Sequence, residues 1–171
     1  PGATTNGRTK ADRTNYWEVV PSGALGLALW MESDRMGYLL PALTEAKFTN
    51  QRDVVLNERR QNYENRPYGL APMALLAALF PPEHPYHWTT IGDVADLQAA
   101  NLDEVRAFFR RYSPPPNASI ALAGALDSAP APSLVVRSFV SIAAAESVDP
   151  TPVATARPPA RRVSLRSRLR P

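Results

Sequence analysis

The most informative stretch of the sequence reads Val54-Val-Leu-Asn-Glu58-Arg-Arg-Gln-Asn-Tyr-Glu-Asn65. Its pattern predicts a helix that begins between residues 44 and 50 and ends at Arg66, before a proline and a glycine. Residues three and four apart share one face of a helix, so Glu58 falls in line with the two valines that open the stretch. We therefore expect the Glu58 carboxylate to lie on the buried face of this helix.

A carboxylate on a buried face needs a partner, because burying an unpaired charge is energetically costly. Three arrangements remain open for Glu58. It can form an ion pair beside Arg59 and Arg60, bind a metal ion, or be neutralised by a proton. Glu45 and Glu64 give no such signal, and we expect both to be solvated.

Strand and helix patterns are mixed along the rest of the chain. Residues 14–20 predict a strand, and residues 22–40 predict a helix that Pro41 stops. Further elements are predicted as helices at 73–80, 101–112 and 133–142, a buried strand at 117–124 and a terminal strand at 161–170. The elements follow no strict strand–helix–strand order, so the sequence predicts an α+β fold with an antiparallel or mixed sheet and helices packed on one face.

The start of the helix at residue 101 is marked by a capping box. Asn101 and Glu104 have the required spacing. We expect the Asn101 side chain to accept a hydrogen bond from the first turn, while the Glu104 side chain reaches back to the Asn101 backbone.

The basic charge of the chain is confined to its last segment. The chain has 171 residues, with 19 Lys and Arg against 16 Asp and Glu. Residues 1–149 carry a net charge of −3, whereas residues 150–171 carry six Arg and no acidic residue. We interpret residues 1–142 as one domain and residues 143–171 as a Pro/Arg-rich linker with a terminal strand. The arginines of this tail lack interleaved aromatic residues, so a nucleic-acid-binding module is the weaker alternative and no nucleic acid is expected as a partner.

Several kinds of site are excluded by what the sequence lacks. It contains no Cys, which excludes Cys-based zinc sites, thiol nucleophiles and disulfides. No apolar run approaches the length of about 18 residues needed to span a membrane, so no span is expected in this segment. No Gly-rich phosphate-binding loop occurs either.

The two histidines, His84 and His87, are spaced as zinc ligands can be. Pro85 lies between them, so they cannot share a helix face. We expect both to pack in an ordered aromatic loop over residues 81–88 rather than to bind a metal.

The order of the segments resembles that of the pitrilysin/insulinase family of inverzincin zinc metallopeptidases. Two of the matching motifs are Arg13-Thr-Asn-Tyr-Trp-Glu18 and Leu29-Trp-Met-Glu-Ser-Asp-Arg35. The other matching segments, which together with these are spread over nearly all of residues 2–142, are 54–69, 84–92, 108–112, 116–124 and 134–139. The chain most resembles bacterial members and the catalytic subunit of mitochondrial processing peptidase.

The resemblance implies a LuxS/pitrilysin-like metallopeptidase domain with Zn²⁺ as its cofactor. In this family two His of a His-x-x-Glu-His helix bind zinc, the Glu of that motif is the general base, and a Glu on a later helix is a further ligand. Glu58 matches that later Glu. The His-x-x-Glu-His motif is absent and expected upstream of Pro1, so no catalytic residue is assigned in this chain. We expect an active-type N-terminal domain without its first strands and metal-binding helix, inactive by itself.

The resemblance also implies a mode of substrate binding. Asn6, Gly7 and Arg8 match an edge strand that accepts the substrate as an added strand through main-chain hydrogen bonds. The expected partners are peptide or unfolded protein substrates and a second homologous domain or subunit, and the expected location is the bacterial cell envelope or periplasm. The alternative within this family is a non-catalytic structural or processing-peptidase-type partner subunit.

Overall fold

The computed structural model describes residues 2–126, 130–146, 148–149 and 162–164. They form two compact units. Of the described residues, the first unit contains 2–8, 14–44, 101–126, 130–146 and 148–149, and the second contains 9–13, 45–100 and 162–164. The elements in chain order are β1 (Thr4–Thr9), β2 (Thr14–Val19), α1 (Leu25–Ala42), α2 (Glu45–Arg59), α3 (Ala71–Leu79), α4 (Val94–Ala99), α5 (Leu102–Tyr112) and α6 (Pro130–Phe139).

Strands β1 and β2 pair as a two-stranded antiparallel sheet. The backbone N–H of Lys10 donates to the carbonyl of Arg13 at 2.7 Å and closes the turn between them. The predicted strand at 14–20 is confirmed as β2, whose Tyr, Trp and Val residues favour extended backbone.

Helix α1 of the first unit packs against α6. Leu29 and Ser33 lie four residues apart on one face of α1 and are its buried residues, 2% and 6% exposed. Pro41 was expected to stop the helix but lies inside its last turn, and α1 ends one residue later. This difference lies within the one or two residues by which assigned helix ends commonly vary.

The capping box of α5 forms as the sequence predicts. The Asn101 side chain accepts from the Glu104 backbone N–H at 3.0 Å, and the Glu104 carboxylate accepts from the Asn101 N–H at 2.9 Å. Both bonds satisfy donors at the helix start that have no partner within the helix. The chain position at which α5 begins is therefore fixed locally.

The second unit is built from α2, α3, α4 and the aromatic loop. Helix α2 continues without a break into one turn of π-helix over Arg60–Glu64. Phe48, 7% exposed, is buried in α2, which packs against α4. Helix α4 was not predicted, although Asp93 caps it by accepting from the Ala95 backbone N–H at 2.9 Å.

The predicted buried strand at 117–124 is wrong in this structure. These residues are all exposed and form no strand, with Ile120 50% exposed. Within the described ranges the sheet consists of β1 and β2, so no further strand is available to satisfy the backbone of this segment. The fold is thus helix-rich with a small antiparallel sheet, a coarser form of the predicted α+β class.

The predicted terminal strand at 161–170 lies outside the described residues except for 162–164, which are exposed and irregular. No helix among the described residues has the length and apolarity needed to cross a membrane.

Candidate functional site

Glu58 lies at the carboxyl end of α2, one residue before its last residue. Its side chain is exposed, and Val54, one turn earlier, is 47% exposed, so the expectation of a buried carboxylate is wrong. The buried residues of α2 are Phe48 and Arg59. They lie about three helical turns apart on one face, which is rotated by one residue from the face on which we placed Glu58.

The two arginines that follow Glu58 do not neutralise it. Arg59 Nη1 forms an ion pair with Glu64 Oε1 at 3.0 Å, and Arg60 Nη1 donates to Asn57 Oδ1 at 2.8 Å. Glu64 is thus ion-paired rather than simply solvated. In the part of the chain that the structure describes, Glu58 makes no ion pair or side-chain hydrogen bond. Its carboxylate is available to a group from outside.

An exposed, unpaired carboxylate is chemically suited to zinc, which accepts Glu oxygens alongside His nitrogens. Glu58 fits the metal as one ligand. Across the described ranges, however, no three His, Asp or Glu side chains lie close enough together to hold a metal ion. A metal centre that uses Glu58 therefore needs ligands from outside these residues.

The predicted substrate-binding residues Asn6, Gly7 and Arg8 lie in β1, and all three are exposed. They belong to the first unit, whereas Glu58 belongs to the second. The structure therefore describes the two parts of the expected site separately, each within its own unit.

The register of the hairpin shows which backbone groups of β1 point outward. A Cβ on Gly7 would lie 3.1 Å from Cδ1 of Tyr16, so these two residues are opposite each other. Counting from the Lys10–Arg13 hydrogen bond, they form a non-hydrogen-bonded pair, and the Gly7 N–H points to the outer edge of β1. There the Asn6 side-chain oxygen accepts that N–H at 2.8 Å.

The histidine pair has the structural role expected from the sequence. His84 stacks on Phe80 with ring centroids 4.5 Å apart, and its Nδ1 accepts from the Tyr86 backbone N–H at 3.0 Å. His87 Nδ1 lies 2.7 Å from the Phe80 carbonyl oxygen, which can only accept, so His87 donates there. Both rings thus pack within the aromatic loop.

A cluster of charged side chains connects β2 to α1 in the first unit. Half-buried Glu18 lies beside Glu32, which also forms an ion pair with Arg35, and the Arg35 guanidinium lies 3.4 Å from the centre of the Tyr16 ring. Burial and then the neighbouring Glu32 raise the pKa of the Glu18 carboxyl, while Arg35 opposes the shift. Folding therefore favours the protonated form of Glu18.

We expect Glu18→Gln to stabilise the protein at neutral pH by less than about 1 kcal/mol, since solvent screens this partly exposed pair. The favourable contribution of protonated Glu18 is complete below its unfolded-state pKa and is lost as pH rises through its raised folded-state pKa. In urea unfolding from acidic to neutral pH, the free energy of unfolding of the variant should therefore rise relative to that of the wild type in that window. The same pH dependence of the free energy of unfolding in both proteins would contradict the raised pKa of Glu18.

An open groove of about 400 Å³ lies in the first unit between α1 and α6. Trp30, Asp34, Tyr38 and Arg137 contribute to its lining. None of the residues predicted from the sequence to bind metal or substrate lines this groove, so it adds nothing to the candidate site.

Comparison with known proteins points to proteases. No family model matches the chain. Over 127 residues, or 74% of the chain, the sequence is 32% identical to the zinc protease PqqE of Helicobacter pylori. The structure matches the crystal structure of a protease from Helicobacter pylori with a TM-score of 0.77 and 29% identity over 91% of the chain. The chain is therefore homologous to part of a zinc protease and has the fold of part of a protease.

The chain spans 28% of the length of the zinc protease and 36% of the protease of known structure.

Proposed function

We propose that these residues form part of a zinc-dependent metalloendopeptidase of the pitrilysin/insulinase type, and that Glu58 is one of its zinc ligands. The observation that carries the proposal is the 32% identity to a zinc protease over 127 residues. The exposed, unpaired Glu58 carboxylate supports it, because a carboxylate already neutralised by an arginine would be a poor ligand.

The other ligands and the general base would come from a His-x-x-Glu-His helix outside these 171 residues. Within the sequence, the two histidines are three residues apart in a proline-containing loop and are occupied by loop packing. One carboxylate does not make a zinc site, so we expect the 171 residues alone neither to bind zinc tightly nor to hydrolyse peptides.

When bound, zinc would supply Lewis-acid polarisation of the scissile carbonyl and a lowered pKa for water. Glu58 would add a negatively charged oxygen ligand from a rigid helix. The substrate, a peptide or unfolded protein, would add to the outer edge of β1 at Asn6, Gly7 and Arg8. To donate to such a strand, the Gly7 N–H must exchange its present acceptor, Asn6 Oδ1, for a substrate carbonyl.

A second homologous domain or subunit would complete the enclosure of the substrate. The first unit has exposed aromatic side chains that such a partner would cover. They include Tyr16, Trp17 and Trp30, which are 51%, 44% and 58% exposed.

The test is metal removal and restoration in the intact protein that contains these residues. We expect hydrolysis of an unfolded fluorogenic protein substrate to stop on dialysis against a strong zinc chelator and to return with one equivalent of Zn²⁺. The metal content, measured by mass spectrometry, should change in parallel. Undiminished hydrolysis by zinc-free protein would contradict the proposal, and an intact protein that neither binds zinc nor hydrolyses peptides would support the non-catalytic alternative.

A further inference from the structure

The turn that follows α2 is held by an ion pair between buried Arg59 and exposed Glu64. Arg59 is 8% exposed, and its Nη1 lies 3.0 Å from Glu64 Oε1. In a regular α-helix, residues five apart point about 140° away from each other and do not meet. Here the turn over Arg60–Glu64 is a π-helix, closed by a bond from the Asn65 N–H to the Arg60 carbonyl at 2.8 Å. The π turn allows the ion pair to form, and the ion pair in turn favours the π turn.

The same turn is also held by the close approach of the Gly69 backbone to the Tyr63 backbone. A Cβ at Gly69 would lie 2.1 Å from the Tyr63 carbonyl oxygen, so only glycine fits there. The preceding residue, Tyr68, has φ of 59°, a left-handed conformation that is costly for a tyrosine. Strained backbone of this kind persists where the surrounding structure fixes it and is frequent at functional sites.

Arg59 also carries a polar group that the fold leaves without a partner. Its Nε is buried and has no acceptor among the described residues. A buried arginine with an unsatisfied N–H contributes little to the free energy of unfolding, because a well-packed apolar side chain at the same place often stabilises a protein as much or more. Its position directly after the proposed zinc ligand suggests another role.

We propose that Arg59 and Glu64 are positioning residues that fix the end of α2 so that the Glu58 carboxylate points towards the metal. The inference rests on the proposed function of Glu58. A metal ligand has to be held to within a fraction of an ångström, and surrounding groups do this work in most metal sites. Glu58 has no side-chain partner of its own in the described residues, so its direction depends on the backbone that Arg59 and Glu64 hold.

The test is zinc affinity in the intact protein, measured by competition with a chromogenic chelator. We expect Arg59→Lys, which loses the planar guanidinium, and Glu64→Gln each to raise the zinc dissociation constant about 10- to 100-fold. Turnover at saturating zinc should recover towards the wild-type value, because the ligand is still present. Glu64 is the more exposed partner, at 39%, so Glu64→Gln serves if Arg59→Lys does not fold.

The matched control is Arg60→Lys, since the Arg60 side chain is exposed and bonds only to the Asn57 side chain within the described residues. It should keep the wild-type dissociation constant. Equal dissociation constants for Arg59→Lys, Glu64→Gln and Arg60→Lys would overturn the positioning role and leave zinc binding by the wild type intact. Failure of the wild type itself to bind zinc would overturn both proposals.

Discussion

Glu58→Gln in the intact protein is expected to reduce bound zinc to background and to slow peptide hydrolysis about 1,000-fold or more. The amide is uncharged and is a much weaker zinc ligand than the carboxylate. Metal-ion catalysis contributes several kcal/mol of transition-state stabilisation, and each 1.36 kcal/mol corresponds to about a factor of ten in rate. Bound zinc should be measured by mass spectrometry and turnover on the unfolded protein substrate.

The structure indicates that this substitution leaves the fold alone. Glu58 is exposed and unpaired among the described residues, and Gln is a similar helix former, so the free energy of unfolding should change by less than about 0.5 kcal/mol. Glu45→Gln is the matched control, because Glu45 is an exposed carboxylate at the other end of α2. The Glu45→Gln protein should retain the zinc content and the turnover of the wild type. A Glu58→Gln protein that keeps both would remove Glu58 from the metal site.

Features fixed by local chemistry could be predicted from the sequence. The capping box at Asn101 and Glu104 involves residues three apart and forms as expected. The histidines of the aromatic loop also pack as expected, because proline and aromatic residues restrict that segment by themselves. Each of these interactions is complete within fewer than ten residues of chain.

The burial of Glu58 was predicted wrongly because the apolar face was located from too short a segment. Starting from Val54 and Val55, the face passes through Glu58. Starting from Phe48, steps of four, three and four residues lead to Arg59, which is the buried residue. A shift of one residue rotates a helix by about 100° and exchanges the exposed side chain for the buried one. The apolar Phe48 was the signal in the sequence that could have identified Arg59.

Features that depend on distant parts of the chain could not be predicted. The 117–124 segment has the alternation of a strand, but a strand also needs a neighbour to accept its hydrogen bonds, and none is available to it in the described residues. The π turn after α2 was missed for a different reason: its contacts are local, but an ion pair between residues five apart, such as Arg59 and Glu64, does not fit the spacing of a regular α-helix. The proposed metal role of Glu58 rests on the family resemblance, since an exposed carboxylate by itself does not identify a ligand.

Gly69→Ala is expected to destabilise the protein by about 3 kcal/mol, because the new methyl group would overlap the Tyr63 carbonyl oxygen at 2.1 Å. Both groups belong to the backbone framework, so no side-chain rotation relieves the overlap, and the π turn has to shift. For a domain of this size the thermal midpoint should fall by roughly 6–12 °C.

Gly26→Ala is the control, since a Cβ there meets nothing within 4 Å and should stabilise α1 by about 0.5–1 kcal/mol. Equal midpoints for Gly69→Ala and wild type would show that the close approach does not hold the π turn, and the positioning of Glu58 would then depend on the Arg59–Glu64 ion pair alone.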